Sequence, residues 1–205
     1  MPCFAVVSKR LNACQWLPVC VLWLVAVCAP SYAGSSAAQT PAAQEATQVY
    51  IMRHALAPGF GDPDNIKLGD CSTQRNLSDD GRAQATAAGD WLRSQGLSAD
   101  NALVLSSPWC RTLETAKLLQ LGTVQSTTAL SSFFQQGSQS STMAALAGVL
   151  ANIASKQYGD KTAILVTHQV VIAALTGRGA SSGEIMLIRL TRDGSFERIV
   201  ERHVP

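Results

Sequence analysis

Two short apolar runs constrain the fold of this chain more than any other feature: Val49-Tyr50-Ile51-Met52 and Ala163-Ile164-Leu165-Val166-Thr167. Each is rich in β-branched residues and bounded by polar or turn residues, the pattern of a strand buried on both faces of a parallel sheet. The first run ends in Arg53-His54 and the second in His168. Open α/β sheets receive their ligands at the carboxyl ends of strands. The chain has three histidines, His54, His168 and His203, and two of them fall at such ends. The arginine beside the first points to an anionic ligand.

Further runs alternate between strand and helix. A long polar loop, Ala55 to Asn76, follows the first strand, and connections of that length are often functional. Ser78 reads as the N-cap of a helix whose first turn carries Asp79 and Asp80 and which extends to about Gly96. Residues 102–107 read as another buried strand, and Pro108 marks the start of a second helix. A short strand is expected near 123–130, an irregular stretch over 131–141 and a helix from Met143 to Ala154. A strand at 162–168 and an apolar helix at 170–176 follow. Two last strands, 184–191 and 195–203, are joined by Asp193-Gly194, a pair that favours a primed hairpin turn. This alternation predicts an α/β fold: a three-layer αβα sandwich with a mostly parallel central sheet.

The first 33 residues read as a secretory signal peptide. Lys9 and Arg10 form the positive region, Trp16 to Ala29 the apolar region, and Ser31-Tyr32-Ala33 the cleavage site. The apolar run falls short of the ~20 residues a bilayer span needs, so no stable membrane insertion is expected after cleavage. Residues 34–47 read as a flexible linker and 48–205 as one domain. The chain has 16 Lys+Arg, and losing Lys9 and Arg10 leaves 14 against 14 Asp+Glu. A neutral mature chain has no basic field for nucleic acid. The expected location is periplasmic or secreted.

Phosphoryl transfer needs rigid positive donors around the non-bridging oxygens and an in-line nucleophile. Arginine supplies a planar fork, and a neutral histidine is nucleophilic near pH 7 once one ring nitrogen is tied down. Strand ends at 53–54, 107–111 and 168 would bring Arg53, His54, Arg111 and His168 to one sheet edge, which describes a phosphate pocket.

The residues that carry this chemistry also carry a resemblance. Tyr50-Ile-Met-Arg-His-Ala is similar to the Arg-His-Gly signature of the histidine phosphatase superfamily, which includes the phosphoglycerate mutases. Leu77-Ser-Asp-Asp-Gly-Arg-Ala-Gln-Ala, Leu105-Ser-Ser-Pro-Trp-Cys-Arg-Thr-Leu-Glu-Thr-Ala and Val166-Thr-His follow in that family's order. The resemblance runs from Gln48 to at least Gly177 and implies a phosphoglycerate mutase-like fold. It also implies a transient phosphohistidine on His54, phosphate binding by Arg53, Arg111 and His168, and no metal or organic cofactor. The substrate implied is a phosphorylated small molecule or a glycolipid headgroup, as in lipopolysaccharide-core heptose phosphatases.

Two positions and one interval depart from the family pattern. Ala55 replaces the glycine, and Gln169 stands where one branch carries the aspartate that protonates the leaving group. The other branch takes its acid from the interval Thr115 to Gly159, which here contains no Asp or Glu. Asp62, Asp64 and Glu184 are the substitutes to test. Arg75 and Arg82, which flank the second motif, read as salt-bridged or rim residues. Cys71 and Cys110 are left once the leader is removed, either as a disulfide bracing the long loop beside Arg111 or as two buried thiols.

The reading is an exported phosphatase acting on a phosphomonoester or an activated phosphate. Its alternatives are a phosphohistidine phosphatase and a non-catalytic phosphate-binding protein of the same fold.

Overall fold

The computed structural model describes residues 46–135 and 137–205. The expected leader, 1–33, lies outside them, as does the linker up to residue 45. Strands β1 (Gln48–Arg53), β2 (Ala102–Ser106), β3 (Val124–Ser126), β4 (Thr162–Thr167), β5 (Ile185–Leu190) and β6 (Phe196–His203) form one sheet in the order β3-β2-β4-β1-β5-β6. The pairs β3/β2, β2/β4 and β4/β1 are parallel, and the closing β5 and β6 run antiparallel. The helices are α1 (Asp79–Ser94), α2 (Cys110–Leu118), α3 (Gln139–Ala154) and α4 (Gln169–Thr176).

Side chains alternate faces along β1, β2 and β4, and both faces of these strands are buried. On one, Val49, Ile51, Leu103, Leu105 and Leu165 meet Leu146 and Leu150 of α3 and Ile172 of α4. On the other, Tyr50, Met52, Val104, Ile164 and Val166 meet Ala88 and Leu92 of α1 and Ala116 of α2. This double burial is why the strands are written as continuous apolar runs and not as alternating ones. Each fully buried leucine or isoleucine contributes on the order of 1.5–3 kcal/mol. The result is the expected three-layer αβα sandwich.

Two local devices set the site's floor. The Ser78 hydroxyl accepts from the Gly81 N–H at 3.1 Å and caps α1. Gly81 lets α1 lie against the chain leaving β1: a Cβ there would stand 2.0 Å from the Leu56 carbonyl oxygen.

Three expectations need correction. Helix α3 starts at Gln139, ahead of Met143, because Ser138 caps it and its exposed first turn carries no apolar period. The strand expected over 123–130 shrinks to Val124–Ser126 at the sheet edge, and Thr128–Leu130 form a 3-10 turn capped by Thr127. The hairpin at Asp193-Gly194 is not a primed turn, since Gly194 (φ 87°) has positive φ and Asp193 does not. Gly194 N donates to Thr191 O and Thr191 N to Ser195 O, a type I turn closed by a glycine bulge.

Candidate active site

Strand register brings the two histidines together. β1 and β4 are parallel neighbours with Arg53 opposite Thr167, and the His54 N–H donates to the Thr167 carbonyl at 2.9 Å. His54 and His168 therefore leave adjacent strands at the same edge, with ring centroids 5.6 Å apart. Both are 3% exposed. Arg53, His54, Arg75, Arg111 and His168 all line one cavity of about 280 Å³, together with Asp62. A larger cavity of about 550 Å³ lies by Gln48, Thr162 and Arg189, at the opposite ends of the strands, and has no histidine.

The His54 environment defines its tautomer. Its Nδ1 lies 2.8 Å from the Ala55 carbonyl oxygen, an acceptor only, so Nδ1 carries the proton and Nε2 keeps its lone pair. Burial pushes its pKa down to about 3, with the Ala55 hydrogen bond opposing and the charges of Arg111, Arg53 and Arg75 adding to the fall. His168 is also held well below its ordinary value, first by burial and then by His54 and the same arginines. Its Nε2 is 2.8 Å from the Ser107 hydroxyl, and its ring meets Trp109 edge-on at 5.2 Å. At neutral pH both imidazoles are uncharged.

The arginines are anchored at their far atoms. Arg53 Nη1 donates to Ala180 O at 3.0 Å, while its buried Nε has no partner. Arg111, on the first turn of α2, is 3% exposed and has an unpartnered Nε as well. Buried N–H groups without acceptors are uncommon. Arg75 donates through Nε to Gly61 O at 2.8 Å and through Nη1 to Ala57 O. Burial and the Arg111 charge lower the pKa of Arg75, as they do that of Arg53.

The three carboxylates named as proton donors separate. Asp62 lines the cleft but forms a two-pronged pair with Arg111, Oδ1–Nη1 2.7 Å and Oδ2–Nη2 3.0 Å, and its Oδ1 also accepts from Arg75 N. Burial alone would raise its pKa, but these partners hold it below the usual carboxylate value. Asp64 is exposed and is not among the residues lining the cleft. Glu184 is buried away from the cleft and binds Arg202 Nε at 2.5 Å and Ser181 N at 2.8 Å. Burial raises its pKa and these partners lower it, with a net fall. The positions of Asp64 and Glu184 thus run against the donor expectation.

The long loop is held by specific ties. Cys71 and Cys110 are disulfide-bonded with Cα atoms 5.7 Å apart. Beside them the Cys110 N–H donates to Gln74 Oε1 at 2.9 Å. Thr115 Oγ1 accepts from Ala55 N and donates to Arg111 O, so α2 and the exit of β1 are locked together.

Sequence reasoning undervalued Arg75 and missed Gln84. Arg75 sits in the cleft; its signal was a basic residue where the long loop re-enters the fold just before Leu77-Ser78. Gln84 Oε1 accepts from Leu56 N and its Nε2 donates to Ser182 O, bridging the exit of β1 to the segment before β5. Arg82 stays outside, paired with Glu114 and Asp79 at the surface.

Fold and site define an α/β protein with an arginine-walled anion seat around two neutral histidines. The model of the histidine phosphatase superfamily (branch 1) matches residues 49–133, the segment that holds Arg53, His54, Arg75 and Arg111. No curated protein matches it. Among solved structures it is similar in fold to the protein histidine phosphatase SixA complexed with tungstate, at 19% identity over 78% of this chain and 97% of that one, TM-score 0.53. It is similar likewise to mycobacterial glucosyl-3-phosphoglycerate phosphatase, at 18% identity over 78% and 98%, TM-score 0.55.

Proposed function

We propose that this protein is a phosphatase that passes the phosphoryl group of its substrate to Nε2 of His54 and then to water. The observation that carries this reading is a neutral His54 with its Nδ1 proton tied to the chain, in a cleft walled by three arginines. The Nε2 lone pair forms the N–P bond as the bond from phosphorus to the leaving group breaks. Arg53, Arg75 and Arg111 hold the non-bridging oxygens, supplying the positive charge that the step requires. His168, whose Nε2 shares a hydrogen bond with the Ser107 hydroxyl, stands beside those oxygens as a neutral ring. Water then adds to phosphorus as the N–P bond breaks and its electron pair returns to Nε2, and inorganic phosphate leaves with the water's oxygen and its two protons, one of which passes to solvent at neutral pH.

Asp62, the single named carboxylate in the cleft, is ionised against Arg111. General acid catalysis is worth roughly 10²–10⁴-fold. A site without a ready acid suits leaving groups that depart without a further proton: the imidazole of a phosphohistidine, anhydrides and aryl esters. We place the protein in the periplasm or outside the cell, on the leader pattern of residues 1–33 and the Cys71–Cys110 disulfide.

Asp62, ionised against Arg111, leaves the cleft without a ready acid, which favours a second reading as a phosphate-binding protein without turnover. Hydrolysis of an activated aryl phosphate, measured beside vanadate binding by calorimetry, separates the two. The enzyme turns over, and His54→Asn loses turnover while still binding vanadate. Vanadate binding by a wild-type protein with no turnover supports the binder.

A further inference from the structure

The mouth of the cleft carries a feature that phosphate chemistry does not use. Phe60 is 89% exposed and Phe134 is 49% exposed, yet both line the same cavity as His54 and His168. Their rings meet edge to face, centroids 5.0 Å apart and planes at 87°. Single exposed apolar side chains are ordinary, but two in contact at the mouth of an anion seat form a patch that gains by being covered.

The rings are set there by structure. Phe60 stands between Gly59 (φ 94°) and Gly61 (φ 70°), two left-handed residues that turn it out of the loop. Gln135, next to Phe134, accepts from Asp62 N at 2.6 Å and donates to Asp62 O at 3.0 Å. One amide thus ties the loop carrying Phe60 to the segment carrying Phe134. That amide spends its oxygen and one N–H on Asp62, both carboxylate oxygens of Asp62 pair with Arg111, and the Ser132 hydroxyl accepts from Phe134 N.

We infer that Phe60 and Phe134 form a ring-binding rim above the phosphate seat, and that the substrate is an ester of phosphate with an aromatic alcohol. This rests on the phosphatase reading above and narrows it. An aryl leaving group meets two demands at once: its flat face or edge packs on the paired rings, and its oxyanion departs without help from an acid. In the reaction the aryl oxygen keeps the electron pair of the broken P–O bond as His54 Nε2 takes the phosphorus.

Binding of unreactive phosphonates tests the rim independently of turnover. Calorimetry compares phenylphosphonate, methylphosphonate and the non-hydrolysable phosphonate analogue of glucose 1-phosphate on the wild-type protein, Phe60→Ala and Phe134→Ala. The expected result is a preference of about tenfold for the phenyl compound over both others, from favourable ring contacts. Each alanine variant should lose most of that preference while binding methylphosphonate within about twofold of wild type, which also reports an intact fold. Equal affinity for phenyl and methyl compounds, or the glucose analogue bound as well as phenylphosphonate, overturns the rim and leaves the phosphatase reading standing. Failure of the wild-type protein to bind any of the three overturns both.

Discussion

At His54, burial and three guanidinium groups act together to expel a proton, and the consequence reaches beyond catalysis. In the unfolded chain this imidazole titrates near 6.5, in the folded protein near 3. Between those values the unfolded chain binds the additional proton, so folding stability falls as pH drops, by about 1.4 kcal/mol per pH unit for the one group. His168, whose pKa is lowered in the same direction, adds to the slope. Urea unfolding of wild type and His54→Asn between pH 6 and pH 4 should show a shallower decline in the variant. Parallel declines would contradict the burial argument. Asp62 makes the converse case: its carboxylate occupies the Arg111 fork that a phosphate must take over. Asp62→Asn should tighten vanadate inhibition about five- to tenfold by removing a like charge from the seat. A weaker inhibition constant in that variant would mean that Asp62 mainly positions Arg111.

Among the elements, α1 and α2 hold the site by close approach and cross-linking. Gly81 is where α1 touches the chain leaving β1, and Gly81→Ala forces a Cβ to 2.0 Å from Leu56 O. Overpacking against backbone typically costs about 1–3 kcal/mol, so the variant should unfold earlier in urea and lose activity together with stability. An unchanged midpoint would show that α1 can shift freely. The Cys71–Cys110 link spans 39 residues, a loop whose closure is worth about 4 kcal/mol on chain entropy, with strain and residual structure reducing it. It also ties the long loop to the residue before Arg111. Cys71→Ser/Cys110→Ser should therefore lower stability by about 2–4 kcal/mol and raise KM more than it lowers kcat. Unaltered KM would separate the link from the seat.

Across the whole molecule, what was legible in the chain and what was not follow from where the information resides. Buried parallel strands leave continuous apolar runs, so β1, β2, β4 and the residues at their ends could be read locally. The meeting of His54 with His168 needed β4 to insert between β2 and β1, a long-range choice that the ordered motifs implied and no single run encodes. The long loop has no period at all. Its course is set by Gln74 on Cys110 N, Gln135 on Asp62 and the disulfide, so the arrival of Arg75 in the cleft and the capture of Arg111 by Asp62 stayed hidden. Capped exposed turns, as at Ser138, were misplaced because their signal is a single polar residue. The central claim is that phosphorus becomes bonded to one imidazole nitrogen during turnover. Rapid quenching of the wild-type protein with a radiolabelled aryl phosphate, followed by peptide mapping, tests this most directly. The account predicts an acid-labile, base-stable label on His54 that appears and decays within the turnover time and is absent in His54→Asn. Turnover without such a label, or a label on any other residue, would contradict it.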